Sequence, residues 1–140
     1  MQAENQENRK SSEGAPARIM RGKVSAGKSE AQYYISKEGY KRQFRETLGF
    51  EPYPGTLNIK LEATFAFPGE KAILIKGFQD SNRVFGECQC YKIKLKGIEA
   101  AVVRPERSDY PDDLIEVIAP VNLRMALVLE DGDQVEVTLL

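Results

Sequence analysis

The feature that most constrains this chain is a stiff turn followed by an alternating segment, which reads LGFEPYPGTLNIKL at residues 48–61. Two prolines fix backbone angles within the turn, and the glycine after them leaves the next angle free. Residues 56–61 then alternate between polar and apolar side chains, which predicts a strand with one face in a core. The opposite face carries the hydroxyl of Thr56 and the amide of Asn58. The sequence therefore predicts two side-chain oxygens that point the same way from one rigid edge.

Thr56 and Asn58 offer the kind of ligand that a hard cation prefers. Neutral oxygens on a rigid edge suit Mg2+ when the ion also binds the phosphates of a substrate. The same residues also fit a plain turn followed by an amphipathic strand. The pattern alone leaves both interpretations open.

Short strands account for most of the remaining chain. We expect one main helix over residues 38–48, where Tyr40, Phe44 and Leu48 recur every four residues, and a shorter helix or turn over 121–127. So many short strands predict a mainly β fold, a small β-barrel with one main α-helix. The strands are predicted at 19–25, 56–62, 71–76, 83–95, 98–103, 114–118 and 134–139, with turns at 68–69, 96–97 and 131–133.

Length and composition limit the class of protein. A chain of 140 residues has room for a single domain, predicted at 19–140. Residues 1–18 are polar and predict a disordered tail, and because they lack the apolar core of a signal peptide we expect a cytoplasmic protein. No apolar run approaches the roughly 20 residues that span a bilayer, so we expect no membrane association. A net charge of −1 disfavours nucleic acid as a partner.

The cysteine and histidine content excludes several chemistries. The chain has no histidine, which removes any mechanism that pairs a serine or cysteine with a histidine base. Its two cysteines, Cys88 and Cys90, are too few for a structural zinc site, and we expect both to be packed thiols. Proton transfer must therefore fall to a carboxylate, lysine, tyrosine or water.

Residues 22–29, GKVSAGKS, match the P-loop pattern G-x-x-x-x-G-K-[ST] letter for letter. A P-loop joins a strand to a long helix in a parallel sheet. The residues that follow lack a firm helical stripe, and the chain lacks the alternation of strands and helices that such a sheet needs. The match is therefore interpreted as coincidental.

Three segments together resemble the archaeal-type CTP-dependent riboflavin kinases. They are the PYPGTLN turn, the QF…LGF helix before it and the IEVIAP…LR segment near the C-terminus, and the likeness runs from about Gly22 to Leu140. The ending LRMALVLEDGDQVEVTLL also resembles the final hairpin of cradle-loop barrels. The resemblance implies a six-stranded cradle-loop-type barrel that transfers the γ-phosphate of CTP to riboflavin, giving FMN and CDP, and we expect it to be a monomer.

The resemblance also implies a set of site residues. Ala26 stands where the family's glycine-rich loop has a serine, and Ser29 and Ala31 stand where it has glycines, which leaves the choice between CTP and ATP open. The resemblance implies that Glu116 contacts the flavin, and we expect it to orient the ribityl hydroxyl and accept its proton. The implied set is Gly27, Lys28, Ser29, Glu30, Ala31, Gln32, Val121, Asn122, Leu123 and Arg124 for the nucleotide, Thr56 and Asn58 for Mg2+, and Ser108 and Glu116 for the flavin.

Three other functions remain open on the sequence. A swapped-hairpin barrel that binds DNA shares the cradle-loop ending, and the basic residues of the predicted helix would favour it. A P-loop kinase would prefer ATP. A module that binds flavin or nucleotide without catalysis would account for the altered glycine-rich loop.

Overall fold

Alternating apolar residues on six strands close a barrel around one core. The computed structural model of the chain describes residues 18–27, 31–106 and 111–140. Its helices are α1 (Ala31–Ile35), α2 (Glu38–Leu48) and α3 (Leu123–Ala126), with a 3-10 turn at Gly69–Lys71. Its strands are β1 (Arg18–Ser25), β2 (Leu57–Leu61), β3 (Ile73–Ile75), β4 (Phe78–Asp80), β5 (Arg83–Phe85), β6 (Cys88–Leu95), β7 (Ile98–Pro105), β8 (Leu114–Ile118) and β9 (Gln134–Leu139).

The barrel strands follow the order β9-β1-β2-β8-β7-β6, and every pairing is antiparallel. The last residues of β9 pair with the end of β6 and close the barrel. The first residues of β6 pair instead with the short strand β3, which extends the sheet beyond the barrel. The predicted six-stranded barrel with one main helix is confirmed.

The inner face of the barrel strands forms the main core. On β2, Leu57, Ile59 and Leu61 are each at most 4% exposed, as their alternation predicted. Burial of such side chains contributes roughly 1.5–3 kcal/mol each relative to exposure. Most residues of this core lie on strands. Besides the three on β2, the strand residues are Val24, Tyr91, Ile93, Leu95, Ala100, Val102, Ile115, Val117, Val135, Val137 and Leu139.

Helix α2 covers the outer face of the sheet and forms a second core. Its predicted span of 38–48 is confirmed, and it ends at Gly49, whose positive φ of 83° is the left-handed conformation that glycine adopts at helix ends. Tyr40 and Phe44 pack outside the barrel among Cys90, Val103 and other side chains of β6, β7 and β8. Cys88 and Cys90 are both buried free thiols, as predicted.

Tyr40 also ties α2 to the loop before β6. Its hydroxyl donates a hydrogen bond to the carbonyl oxygen of Gly86 at 2.5 Å. Burial, assisted by Cys88 and Tyr34, raises the pKa of Tyr40 from 10.0 to about 12. The hydroxyl therefore keeps its proton, and this hydrogen bond, throughout the neutral range.

Several local features differ from the sequence prediction, and one of them is β4, which was not predicted. The strand predicted at 83–95 is two strands, since residues 86–87 separate β5 from β6 and let β5 fold back on β4. The β4–β5 turn places Ser81 and Asn82 at positive φ, the geometry of tight two-residue hairpins. Helix α1 was not predicted, because five residues are too few to show a helical period.

The letters of the P-loop pattern fall largely within a strand. Gly22 lies in β1 opposite Leu61, and a Cβ at this position would come within 2.5 Å of the carbonyl oxygen of Lys60. Glycine is thus needed for close strand packing rather than for a phosphate loop. The antiparallel sheet confirms that the match to a P-loop is coincidental.

Two further predictions concern the N-terminal boundary of the domain and membrane association. Strand β1 begins at Arg18, one residue before the predicted domain boundary, while residues 1–17 of the predicted tail lie outside the described residues. Within the described ranges, every helix is too short to cross a bilayer.

Phe44 gives a direct test of how α2 is held. It is 1% exposed, so Phe44→Ala should lower the free energy of unfolding by about 3–5 kcal/mol through lost burial and a cavity. Arg42→Ala, on the exposed side of the same helix, should change it by less than about 0.5 kcal/mol. Urea unfolding followed by circular dichroism measures both, and equal effects from the two variants would show that α2 is not docked as described.

Candidate functional site

Three neighbouring strands carry a row of polar side chains on the outer face of the barrel. Ser25 of β1 lies opposite Asn58 of β2, and Asn58 lies opposite Glu116 of β8. Residues directly opposite each other on antiparallel strands point to the same face, with Cβ atoms about 4.5–5.5 Å apart. We call these three residues the polar row. It places an amide and a carboxylate from separate segments next to each other.

Asn58 sits at the centre of the polar row and is only 3% exposed. Among the described residues it is the only polar or charged residue that is fully buried. Thr56 donates a hydrogen bond from its hydroxyl to Asn58 Oδ1 at 3.2 Å. The prediction that Thr56 and Asn58 share a face of the segment is therefore confirmed by direct contact.

Gly27 closes over Asn58 from the loop after β1. A Cβ added at Gly27 would overlap the side-chain amide of Asn58, so only glycine lets the loop backbone approach this closely. The glycine-rich loop thus begins against the side chain of Asn58, one of the two residues predicted to bind a cation. The sequence motif alone did not reveal this contact.

Arg124 ties a second predicted nucleotide segment to the same region. Its Nη2 donates hydrogen bonds to the carbonyl oxygen of Ser25 at 3.3 Å and to Asp131 Oδ1 at 2.6 Å. Asn122 caps α3, because its side chain accepts a hydrogen bond from the backbone amide of Met125. Residues 121–124 therefore lie against the end of β1, just before the glycine-rich loop.

The proline-rich turn is anchored on both sides. The backbone amide of Tyr53 donates to the carbonyl oxygen of Ala119 at 2.7 Å, immediately after β8. Glu51 forms ion pairs with Arg45 at 3.0 Å and Lys41 at 3.4 Å on α2. The hydrogen bond from Arg45, with the charge of Lys41, lowers the pKa of Glu51 and keeps it ionised. These contacts fix the direction in which Thr56 and Asn58 leave the turn.

The predicted site residues divide into three groups. Gly27, Thr56, Asn58, Glu116 and Arg124 are brought together around the polar row. Leu123 is buried in the barrel core and Asn122 caps α3, whereas Val121 is 41% exposed and Gln32 is exposed on α1, which begins at Ala31. Lys28, Ser29, Glu30 and Ser108 lie outside the described residues.

A shallow groove beside Glu116 was not anticipated from the sequence. Its space of about 180 Å3 is open to solvent and leaves no room for an enclosed water-sized molecule, so it is a surface crevice and not a cavity. Its two polar lining residues are Arg104 and Glu116, which lie on the consecutive strands β7 and β8. The lining residues are Phe67, Val102, Val103, Arg104, Leu114, Ile115 and Glu116.

The site differs from a metal centre built by protein carboxylates, cysteines or histidines. In the part of the chain that the structure describes, no three such side chains gather closely enough to hold an ion. Thr56 and Asn58 supply only two neutral oxygens. A cation held there would need its remaining ligands from water or from a phosphate-bearing substrate.

The chain is similar to one family model and to several curated proteins. The family model CTP-dep_RFKase, described as a domain of unknown function (DUF120), matches residues 24–139. The riboflavin kinase of Methanocella arvoryzae is 55% identical over 126 residues, which cover 90% of this chain and 58% of that protein. The riboflavin kinase of Archaeoglobus fulgidus is 48% identical over 123 residues, covering 84% of this chain and 53% of that protein.

A third relative, the riboflavin kinase of Ignicoccus hospitalis, is 45% identical over 123 residues, covering 84% of this chain and 69% of that protein. The chain thus spans between about half and two thirds of the length of these curated relatives. The matched region includes the polar row, from Ser25 to Glu116.

Because Gly27 packs directly against Asn58, we expect a larger side chain at position 27 to destabilise the fold. Gly27→Ala should force the loop or the Asn58 side chain to move and should destabilise the fold by about 1–3 kcal/mol, as overpacking does. Gly69→Ala is a matched control, because a Cβ there meets no atom within 4 Å. Thermal unfolding and the NMR shift of the Asn58 side-chain amide measure the effect. An unchanged amide shift in Gly27→Ala would contradict the close packing.

Proposed function

This chain belongs to the CTP-dependent riboflavin kinase family, and we propose that it transfers the γ-phosphate of CTP to the 5'-hydroxyl of riboflavin, giving FMN and CDP. The observation that carries the proposal is the polar row. It sets a pair of oxygens suited to a phosphate-bound cation next to a carboxylate suited to a hydroxyl. Phosphoryl transfer requires little covalent chemistry from the protein, and accurate positioning of the two substrates supplies much of the rate.

The side-chain oxygens of Thr56 and Asn58 are suited to bind Mg2+. Their oxygens are 3.2 Å apart. Neighbouring ligands in an octahedral Mg2+ shell, each about 2.1 Å from the ion, lie about 3.0 Å apart. A small rotation of the Thr56 hydroxyl would therefore let both oxygens bind one ion. When bound, Mg2+ neutralises negative charge on the nucleotide phosphates.

The nucleotide is held in this proposal by residues 27–32 and 121–124. One residue of each segment lies at the end of β1, where Gly27 contacts Asn58 and Arg124 contacts the Ser25 carbonyl. Arg124 is already oriented by Asp131, so its guanidinium needs little further ordering to meet a phosphate or the base. Lys28 adds a positive charge to the loop by sequence.

Glu116 is assigned to the flavin substrate together with Ser108. A carboxylate accepts a hydrogen bond from the ribityl 5'-hydroxyl and can take its proton as the oxygen attacks phosphorus. Its place directly opposite Asn58 sets the attacking oxygen beside the phosphates held at that residue. All of these residues come from one chain, and we therefore expect a monomer to be active.

The basic surface that DNA binding would require is largely neutralised. Arg45 pairs with Glu38 and Glu51. Lys41 pairs with Glu51, and Lys37 lies 3.8 Å from Asp80. Such pairing reduces the charge that α2 offers to a phosphate backbone, so the structure gives this alternative no support.

The proposal is tested by incubating the protein with riboflavin, Mg2+ and either CTP or ATP, and separating flavins by chromatography. We expect FMN with CTP. FMN with ATP instead would show that Ser29, Ala31 and Lys28 have changed the nucleotide preference. Riboflavin binding without FMN from either nucleotide would contradict a kinase and support a binding module.

Glu116→Gln separates the proton-accepting role from binding. The amide keeps the shape and one acceptor oxygen but cannot take the proton, so we expect kcat to fall by about 100-fold or more with a smaller change in KM for riboflavin. Glu99→Gln, on an exposed position of β7, is the control and should leave kcat unchanged. Full turnover by Glu116→Gln would remove the base role.

Thr56→Val tests the cation. Loss of the hydroxyl should raise the Mg2+ concentration needed for half-maximal FMN formation by about tenfold, since a bond to a charged partner is lost. Thr64→Val, at an exposed loop position, should leave that requirement unchanged. Chelation by EDTA should stop FMN formation in every variant, and a Mg2+ requirement unaltered by Thr56→Val would contradict the ligand assignment.

A further inference from the structure

A pair of lysines lies next to the polar row on the outer face of the barrel. Lys23 precedes Ser25 by two residues on β1, and Lys60 follows Asn58 by two residues on β2. Side chains two residues apart on a strand point to the same face and are separated by about 6.6 Å along it. The residue between the two on each strand is buried in the barrel core, so the lysines and the polar row share the outer face.

The two lysines face each other across the β1–β2 ladder. Lys23 is the direct partner of Lys60, and its partner on the other side, on β9, is Gln134. Like charges directly opposite each other on antiparallel strands are destabilising. Within the described residues Lys23 forms no ion pair, whereas Arg21 on the same strand pairs with Glu136 at 3.0 Å. The lysine pair is therefore unfavourable by itself, and an anionic ligand would relieve its repulsion.

Lys60 is held between β2 and β8, the strands that carry the amide and the carboxylate of the polar row. Its Nζ lies 2.8 Å from Asp113 Oδ2, directly before β8, and its cross-strand partner on β8 is Leu114. Asp113 is itself fixed, since its carbonyl oxygen accepts a hydrogen bond from the backbone amide of Leu61 at 2.6 Å. An ammonium group has three donors, so the contact with Asp113 leaves two for a ligand. Both lysines are exposed, and a ligand can therefore reach them from solvent.

The polar row separates the lysines from the nucleotide segments. Gly27 follows Ser25 along the chain, and Arg124 binds the Ser25 carbonyl oxygen, so both lie at the end of β1. Lys23 lies on the other side of Ser25, toward the start of the strand. Because the attacking and leaving oxygens of phosphoryl transfer are roughly in line, the acceptor approaches from the side away from the nucleotide. The lysines are therefore on the side of the transferred phosphate and its acceptor.

We propose that Lys23 and Lys60 form a binding site for the phosphate monoester of FMN and hold the transferred group as it leaves the nucleotide. This inference rests on the proposed function for the identity of the ligand. A phosphate monoester carries a charge of about −1.5 to −2 at neutral pH, and both ammonium groups can donate to its oxygens. Riboflavin lacks this charge, so the lysines make FMN bind more tightly than riboflavin.

The test compares the affinities of FMN and riboflavin by quenching of flavin fluorescence, with EDTA present so that no bound cation contributes. Lys23→Gln and Lys60→Gln should each weaken FMN by about three- to tenfold and leave riboflavin unchanged. Lys23→Arg keeps the charge and should retain most of the FMN affinity. Lys94→Gln is the matched control, since Lys94 is an exposed lysine on β6, where its cross-strand partners are Glu99 and Thr138.

Salt provides a second measurement that needs no variant. Raising NaCl from about 0.05 M to about 0.5 M should weaken FMN binding to the wild-type protein and leave riboflavin binding unchanged, because salt screens exposed charges. An identical response of the two flavins to salt would overturn the inference even if a lysine variant did not fold. Thermal unfolding of each variant is followed in parallel, and Lys23→Gln should not lower Tm, since it removes a repulsion.

The remaining outcomes separate this site from the rest of the proposed function. Wild-type affinity for FMN in both folded lysine variants overturns the inference, as does an equal loss of riboflavin affinity. A loss of CDP affinity by calorimetry, with FMN affinity unchanged, would overturn it too, because the lysines would then serve the nucleotide. Conversely, FMN binding that depends on the lysines in a protein that forms no FMN would uphold the inference and contradict the proposed function.

Discussion

The arrangement of the whole site depends on β2 lying between β1 and β8. Because the strand alternates, the same five residues anchor the barrel core through Leu57, Ile59 and Leu61 and present Asn58 on the opposite face. Pairing on both sides then brings Ser25 and Glu116 level with Asn58. A shift of β2 by one residue would exchange its two faces, so the register that stabilises the core also assembles the polar row.

Burial of Asn58 is the clearest sign that the polar row has a purpose beyond folding. A buried side-chain amide costs free energy unless its hydrogen bonds are made, and a leucine at this buried strand position would avoid that cost. Here the amide is contacted by Thr56 and covered by Gly27, with prolines and ion pairs fixing the approach of the chain. A rigid pair of oxygens of this kind suits catalysis by positioning, in which little rearrangement should accompany the reaction.

Much of the fold was predictable because its signals are local. The four-residue spacing of Tyr40, Phe44 and Leu48 predicted α2. The alternation of polar and apolar residues predicted that Thr56 and Asn58 share a face. Non-local features were not predictable in this way. The contact between Gly27 and Asn58, the bond from Arg124 to the end of β1 and the stack of Arg104 on Phe67 join residues distant in sequence. Each depends on strand order, which no single segment encodes.

The most direct test of the polar row as the place where phosphate meets hydroxyl is NMR of the complex with CDP, FMN and Mn2+ in place of Mg2+. If Thr56 and Asn58 hold the ion and Glu116, directly opposite Asn58, holds the ribityl hydroxyl, the phosphorus of FMN should lie closer to the paramagnetic ion than the ring methyl groups do. We expect strong broadening of the FMN phosphorus signal and weak broadening of the methyl proton signals. Equal broadening of the two signals, or none in bound FMN, would contradict this arrangement.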